Sequence, residues 1–458
     1  MKDREGHHPM DRAERLLVAM ALGDRSAGQV LSELLEDVEV RCRSCEVALA
    51  DYPRESLVAR AGGTYEEALG TAAREAGARA LDLARERDEG AALMQELLDE
   101  PTPVRALALA GASPRFHTWG LAAHALDLVE EALLEDPKAA GQLAEVAAGV
   151  AYSLDAGRYG EGVVADLRAV ALAAGARCHV ARLGSIAEAE RELGRAAEHA
   201  AAGTGRERVR IELELAYAEI LLAQGRWAES VAVLQGARQR GETGAEAVLV
   251  VRLARLSGET MRQAGQPKMA VAALRRGLVA SGAIRGSTAQ GRAAGLELIE
   301  VLCEAEWFDD AAAELADQER RLPEEGKGRL AARRHWARGR AQEGLGRMAE
   351  AQEAFREARR ALIDTGDAIL ASRACLRELR LLLADSDPRE AMLLVDQLIP
   401  LYEMRELPLW SRPFLFGLQA AAWKGNLSLD VVDAVEKALA RPPGVYSRRS
   451  AREPDLVH

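Results

Sequence analysis

The chain has 458 residues, which is too long for one compact core, so several domains or a repeat array are expected. Hydrophobic residues make up 48% of it and aromatic residues only 4%, which favours closely packed helices rich in alanine and leucine over a sandwich or barrel. The formal net charge of -12 would repel a phosphate backbone, so nucleic acid is not an expected partner.

The cysteines and the first residues indicate a cellular location. Five cysteines cannot form an even disulfide framework, as is typical of a reducing compartment. The first residues are charged where a secretory signal would be apolar, and the longest apolar runs are too short to span a membrane. We therefore expect a cytoplasmic protein that does not contact a membrane.

Residues 1–50 are predicted to form a small helical module. The pattern indicates two short helices with Gly23 between them, followed by the pair Cys42 and Cys45. Together with His8, these residues resemble the small zinc-binding fold of bacterial anti-sigma factors. The resemblance implies a module that contacts a sigma factor or another signalling protein.

The same resemblance implies His8, Cys42 and Cys45 as metal ligands. The remaining ligand of that pattern is a histidine four residues before the first cysteine, where this chain has Val38. A closed tetrahedral zinc site needs four ligands. We therefore expect a degenerate, metal-free module with buried thiols and no cofactor. Zinc held by the three candidate residues is the alternative.

The next segments lead into a regular array. Residues 51–112 are predicted to be a helical connector. Residues 117–155 are predicted to form a divergent helical hairpin with its turn near Asp136 and Pro137. The regular part of the chain follows this hairpin.

A short pattern then recurs, as in GRMAEAQEAFREA from Gly346 to Ala358. Its copies begin 40 or 41 residues apart, at Gly184, Gly225, Gly265, Glu306, Gly346 and Ser386. Apolar residues at helical spacing flank each start, so each copy indicates a helix, a tight turn and a second helix. The first residue of a copy tolerates the conformation that ends a helix.

Two positions in each copy predict how the helices pack. Five residues after the start comes a small residue that lets two helices approach closely, namely Ala189, Ser230, Ala270, Ala311, Ala351 and Ala391. Four residues later comes a larger residue that fills the gap between neighbouring helices, namely Leu193, Leu234, Leu274, Leu315, Phe355 and Val395. The pattern therefore describes the packing of a helical hairpin.

This order of residues resembles the tetratricopeptide repeat (TPR), in a variant with longer helices. The resemblance implies an all-α fold in which residues 113–400 form a TPR-like α-solenoid, a right-handed superhelix of helical hairpins. Residues 401–441 are expected to be capping helices, and residues 442–458 a disordered tail. A plain helical bundle, in which the alanines recur through composition alone, is the alternative.

Motifs of catalysis are missing from the sequence. There is no phosphate-binding G-x-x-x-x-G-K-[ST], no H-E-x-x-H, no G-x-S-x-G and no dinucleotide fingerprint. Neighbouring acidic residues lie on predicted helices, where solvated faces explain them. We therefore do not expect an enzyme.

The TPR resemblance implies an inner wall built from the first helix of each hairpin. Counting from the turns places a basic strip on this wall, namely Arg252, Arg255, Arg262, Arg333, Trp336, Arg340, Arg373 and Arg380. Forked guanidinium groups suit carboxylates and the tryptophan suits an anchor, so we expect the wall to bind an acidic or carboxylate-bearing polypeptide.

The alternative is that the arginines pair with glutamates of neighbouring helices, namely Glu212, Glu219, Glu259, Glu300 and Glu343. If the binding interpretation is correct, reversing the charges of Arg255, Arg333 and Arg340 should abolish partner binding and leave the fold intact.

The expected function is that of a cytoplasmic adaptor or regulator that binds a polypeptide partner along its repeats. The alternative is a sensor whose solenoid changes curvature when a peptide or small molecule binds. RNA binding would require a base-reading pair in each repeat, and no such pair is present.

Overall fold

The computed structural model describes residues 82–181, 186–241, 247–282, 289–321, 328–384, 388–397 and 411–439. Every regular element in these ranges is a helix, so the expected all-α fold is confirmed. Residues 1–50 with His8, Cys42 and Cys45, most of the connector, and the tail predicted over 442–458 lie outside the described residues. What the sequence predicts for them stays a prediction.

The helices are numbered here in chain order. The first helices are α1 (82–98), α2 (Pro103–Ala112), α3 (Trp119–Glu135), α4 (Pro137–Ser153) and α5 (Ala156–Tyr159), with a 3-10 turn at Pro114–Phe116. The first regular hairpin consists of α6 (Glu161–Ala181) and α7 (Ile186–Ala201). The repeats continue as α8 (Glu207–Ala223), α9 (Trp227–Gly241), α10 (Ala247–Gln263), α11 (Pro267–Gly282), α12 (Ala289–Glu304), α13 (Phe308–Arg321), α14 (Arg329–Gly344), α15 (Met348–Asp364), α16 (Ala368–Ala384) and α17 (Pro388–Asp396). Two last helices are α18 (Arg412–Trp423) and α19 (Leu429–Leu439).

The hairpin predicted over residues 117–155 corresponds to α3 and α4. Its turn lies at the expected place, where the carboxylate of Asp136 accepts hydrogen bonds from the backbone N–H groups of Lys138 (2.9 Å) and Ala139 (3.1 Å). Pro137 is the first residue of α4, where a missing N–H costs nothing. No helix in the described ranges combines the length and apolar character needed to cross a membrane.

Chain contacts divide the described residues into two compact units. The first contains residues 82–130, 140–176 and 191–213. In it, α1 and α3 pack so closely that a Cβ on Gly120 would lie 2.0 Å from the carbonyl oxygen of Glu86. The buried carboxylate of Glu86 accepts hydrogen bonds from the hydroxyl of Tyr159 at 2.8 and 3.0 Å and pairs with Arg158. Burial, and then the charge of Glu86, raise the pKa of Tyr159.

The second unit contains residues 131–139, 177–190 and 214–439 and carries most of the regular repeats. The small residue predicted at each hairpin has no exposed surface at any of the six positions, namely Ala189, Ser230, Ala270, Ala311, Ala351 and Ala391. The larger residue is also buried at five positions, and only Leu193 is partly exposed. The packing of the hairpins is therefore confirmed.

Four described turns between the two helices of a hairpin share one geometry. Gly225, Gly265, Glu306 and Gly346 have φ values of 72°, 72°, 60° and 75°, in the left-handed region. The backbone N–H groups of this residue and the next bond back to carbonyls of the preceding helix, as in Gly346 to Glu343 (3.0 Å) and Arg347 to Gln342 (3.0 Å). This is the Schellman arrangement, which satisfies carbonyls that a helix end would leave without partners.

Apolar side chains of successive hairpins form continuous cores in the second unit. One cluster joins residues of α10 to α14, including Leu274, Leu302 and Leu315. Another joins residues of α14 to α19, including Phe355 and Leu379. Because each hairpin buries its apolar surface against the next one, the helices form a repeat array.

Candidate functional site

The first helices of four hairpins, α10, α12, α14 and α16, carry the residues predicted to bind a partner. Within the second unit, α10 packs on α12 and α12 on α14, and side chains of α16 contact α14. We call the polar surface of these four helices the first-helix face. It is defined by Arg255, Arg262, Glu297, Glu300, Glu304, Arg333, Arg340, Glu343, Arg373 and Arg377.

A stripe of glutamates on α12 receives arginines from α10. Glu297, Glu300 and Glu304 are spaced by three and four residues, so they lie on one side of the helix. Arg255 donates two hydrogen bonds to Glu297, at 2.6 and 3.2 Å. Arg262 donates one to Glu304 at 2.7 Å.

The same stripe receives an arginine from α14 on its other side. Arg333 donates to Glu300 at 3.0 Å and lies 3.9 Å from Glu297. Farther along the face, Arg377 of α16 donates to Glu343 of α14 at 3.0 Å and to Glu436 of α19 at 2.7 Å. Each of these ion pairs joins helices of different hairpins.

These ion pairs perturb the pKa of the groups they contain. Burial by itself raises the pKa of Glu259, but the charge and hydrogen bonds of Arg262 outweigh it and lower that pKa to about 2. Burial by itself lowers the pKa of Arg333, and Glu300 and Glu297 outweigh it in the opposite direction. Both shifts favour the charged forms, so the pairs remain ionic in the folded protein.

The structure therefore places three predicted binding residues, Arg255, Arg262 and Arg333, in internal ion pairs. For these arginines it favours the alternative in which they bridge neighbouring helices. The sequence predicts Glu259, Glu300 and Glu343 among the possible partners, but it does not identify Glu297, Glu304 and Glu436. The regular spacing of the α12 glutamates was the signal that could have identified two of them.

Two other predicted residues, Arg252 and Arg380, differ strongly in their exposure to solvent. Arg252 is only 7% exposed, so it lies in the interior and not on an open wall as the sequence suggested. Arg380 lies 3.6 Å from the carboxylate of Asp433, and both side chains are exposed to nearly half their extent. A pair this exposed to solvent contributes little to stability.

Trp336 occupies a different place from the one expected. Its side chain is 1% exposed and packs against Phe355, with 5.6 Å between the ring centroids, so it is a core residue and not an exposed anchor. The guanidinium carbons of Arg340 and Arg373 lie 5.7 and 5.0 Å from the centroid of its ring. These distances are typical of cation–π contacts.

Arg340 and Arg373 differ from the other arginines of the face. Neither makes a hydrogen bond or ion pair with any residue in the described part of the chain, and the Nε atom of Arg373 is buried without an acceptor. Burial lowers the pKa of Arg373, Glu300 and Glu436 act against this effect, and Arg340 adds to it. The face therefore has one position where positive charge is not neutralised.

Residue chemistry for other sites is sparse in the described ranges. They contain no group of three or more His, Cys, Asp or Glu side chains that could hold a metal ion. Cys178, Cys303 and Cys375 are buried free thiols. Burial raises the pKa of Cys303 to about 11 and that of Cys375 to about 12, which leaves both as protonated core residues at neutral pH.

Comparison with known proteins gives matches in structure alone. No protein-family model matches the chain, and no curated protein does. A signal transduction ATPase with numerous domains from Pyrococcus horikoshii, which carries a tetratricopeptide repeat sensor, matches with a TM-score of 0.50 and 11% identity. That match covers 93% of this chain, and this chain spans 62% of the length of that protein.

Two further solved structures match over most of their length. The apo form of RapI has a TM-score of 0.49 and 8% identity, with 70% of this chain and 86% of that chain covered. A Rap protein complexed with Competence and Sporulation Factor has a TM-score of 0.48 and 12% identity, with 85% and 98% covered. At 11% identity, the likeness to the Pyrococcus protein concerns the fold alone. Together with the buried repeat positions, it shows an all-α helical-repeat protein with a TPR-like fold.

Proposed function

We propose that this protein is an adaptor or regulator that binds a polypeptide partner on the first-helix face. The observation that carries the proposal is the positive charge of Arg340 and Arg373, which is not neutralised although the protein as a whole is acidic. The neighbouring arginines of the face each have a carboxylate from the same chain. A repeat array offers an extended surface of the kind that binds peptides and proteins.

The same proposal assigns no catalytic reaction to the chain and places it in the cytoplasm. It is supported by the lack of catalytic motifs, the odd number of cysteines, the burial of Cys178, and the raised pKa of the buried thiols Cys303 and Cys375. A sigma factor or signalling protein as partner depends on residues 1–50, which lie outside the described part.

Site-specific photo-crosslinking in cells tests the proposed face. A photoreactive amino acid replaces Arg380, which is 41% exposed on the first helix α16, and in a matched variant it replaces Arg360, which is exposed on the second helix α15. We expect protease-sensitive adducts from position 380 and none from position 360. The proposal is wrong if neither position gives a polypeptide adduct, or if only position 360 does.

A further inference from the structure

We infer that Arg340 and Arg373, held against the ring of Trp336, form a subsite for a carboxylate group of the polypeptide partner. This inference rests on the proposed function and specifies the chemistry of the partner. The carboxylate can belong to an Asp or Glu side chain or to a chain terminus, because all three present the same pair of oxygen atoms to a guanidinium group.

The two guanidinium groups of the subsite have fixed positions. Trp336 is 1% exposed and packed against Phe355, so its ring cannot move freely. Arg340 on α14 and Arg373 on α16 both contact that ring. Two donors fixed before binding lose little side-chain entropy when a ligand arrives, which favours binding.

The positive charge of the subsite has no hydrogen-bonded carboxylate within the described part of the chain. An arginine stays protonated at physiological pH, and a charge removed from water without an opposite charge destabilises the fold. Arg373 has a buried Nε without an acceptor, while the side chain as a whole is partly exposed and open to a ligand. Its like-charged neighbour Arg340 increases the electrostatic cost.

The acidic groups near the subsite are hydrogen-bonded to other arginines. Glu300, whose charge acts on Arg373, accepts a hydrogen bond from Arg333. Glu436 and Glu343 both accept hydrogen bonds from Arg377. Neutralising Arg373 with one of them would weaken an ion pair that the chain already makes.

The charges around the subsite favour a carboxylate over a nucleic acid as its ligand. The α12 glutamates lie on the same face, and the whole protein carries a net charge of -12, so a polyphosphate chain would be repelled. A single carboxylate places one negative charge between two guanidinium groups and leaves the surrounding acids undisturbed.

Fluorescence anisotropy with labelled decapeptides tests the subsite, at about 50 mM salt to limit screening. One probe is rich in Asp and Glu and has an amidated C-terminus. A second contains Ser and Gln with a free C-terminus, and a third has the same Ser and Gln residues with an amidated C-terminus. We expect the wild-type protein to bind the first, the second or both about tenfold more tightly than the third. Comparison of the first and second probes distinguishes binding of a side-chain carboxylate from binding of the terminal carboxylate.

Variants assign the preference to the two arginines. Arg340→Gln and Arg373→Gln should each reduce the preference about tenfold, whereas Arg320→Gln, which removes the same charge from a 70% exposed position on α13, should not change it. The inference is overturned if the wild-type protein shows no preference for carboxylates, if the two variants retain it, or if inorganic phosphate competes better than acetate at equal ionic strength.

A stability measurement separates a binding role from a structural one. Arg373→Met keeps an unbranched but shorter side chain and removes the unneutralised charge, so we expect a higher melting temperature together with loss of the carboxylate preference. If the melting temperature falls instead, Arg373 stabilises Trp336 and the binding role is wrong.

The peptide and crosslinking experiments separate the subsite from the proposed function. If no peptide shows the carboxylate preference while position 380 still crosslinks to a polypeptide, the subsite is wrong and the proposed function stands. If carboxylate peptides bind while no crosslink forms, Arg340 and Arg373 do bind carboxylates, but their use by a polypeptide partner in cells is wrong.

Discussion

The turn after α12 has a glutamate at the position where three other repeats have a glycine. Gly225, Gly265 and Gly346 have positive φ angles at this turn, and glycine adopts them without steric cost. At the same position Glu306 has a φ of 60°, and it is the one non-glycine residue with a positive φ in the described ranges. A side chain with a Cβ is strained in this region by roughly 1–2 kcal/mol.

We predict that Glu306→Gly stabilises the protein. Removal of the strain should raise the free energy of unfolding by about 1 kcal/mol, after the added freedom of glycine in the unfolded chain is subtracted. Urea unfolding followed by circular dichroism measures the change. Gly265→Ala is the matched control and should lower the free energy of unfolding by about 1 kcal/mol. A destabilised Glu306→Gly variant would contradict the prediction.

A second residue-scale prediction concerns acid stability. Arg262 lowers the pKa of Glu259 to about 2 in the folded protein, against an ordinary value of 4.5. The folded state therefore binds this proton less readily than the unfolded state, and the ionised carboxylate stabilises the fold above about pH 4.5. The contribution decreases as the pH falls from 4.5 towards 2, where the folded carboxyl is protonated.

We expect Glu259→Gln to lower the free energy of unfolding at pH 7. Near pH 2, the variant and the wild-type protein should have nearly the same free energy of unfolding. Urea titrations at several pH values measure the difference between the two proteins. Glu350→Gln, at an exposed position at the start of α15, serves as the surface control and should show a much smaller difference. A difference between wild type and Glu259→Gln that does not depend on pH would contradict the linkage.

Among the elements, α12 stabilises its neighbours through charge. Its glutamate stripe pairs with Arg255 of α10 on one side and with Arg333 of α14 on the other. Arg255 and Glu297 are only 18% and 12% exposed, so this pair is screened far less by solvent than a surface pair. Reversing the charge of one of these arginines would therefore place like charges together in a half-buried site.

We predict that Arg255→Glu lowers the free energy of unfolding by about 3 kcal/mol, because Glu297 would lose its partner and face a second carboxylate. Thermal unfolding measures the effect. Arg360→Glu, at an exposed position on α15, is the control and should change stability by less than about 0.5 kcal/mol. From the sequence alone, we expect that the charges of Arg255 and Arg333 can be reversed with the fold intact. The ion pairs in the structure lead to the opposite prediction, which is a loss of stability. Unchanged stability of Arg255→Glu would restore the expectation from the sequence.

The close approach of the two helices in a hairpin follows from a glycine on the first helix that lies against a large side chain of the second. A Cβ on Gly258 of α10 would lie 2.6 Å from the side chain of Leu274, and one on Gly339 of α14 would lie 2.5 Å from that of Phe355. In both hairpins, a first helix that lacks a side chain receives the large residue of the second helix. This contact fixes the distance between the helices in each hairpin.

At the scale of the whole molecule, the sequence predicts packing well and charge pairing poorly. The small residue of each repeat, such as Ala311 or Ala351, recurs at a fixed interval because the same packing contact is formed in every hairpin. Whether an arginine such as Arg255 or Arg373 is neutralised depends on the side chain that the neighbouring repeat places opposite it. That residue is more than thirty positions away, as Glu297 is from Arg255, and the pattern within one repeat does not determine it.

A repeat array also predicts how far the effect of a destabilising substitution extends along the chain. The regular hairpins pack mainly on the hairpins next to them, so stability is close to a sum of local contributions, and the loss of one contribution should have its effect near the altered position. Phe355 is fully buried in the cluster that joins α14 to α19 and belongs to no other described cluster. It is a suitable site for testing how far a defect extends.

We predict that Phe355→Ala lowers the free energy of unfolding of this region by about 4 kcal/mol, from lost apolar burial and the cavity that remains. Native-state amide hydrogen exchange should rise in α14, α15 and α16 and stay nearly unchanged in α9 and α10, since the helices nearer the start of the array keep their own cores. Phe355→Leu, which retains much of the volume, should show the same pattern with a smaller effect. Equal acceleration of exchange in α9 and in α15 would mean that the described repeats unfold as one cooperative unit, and the local account would be wrong.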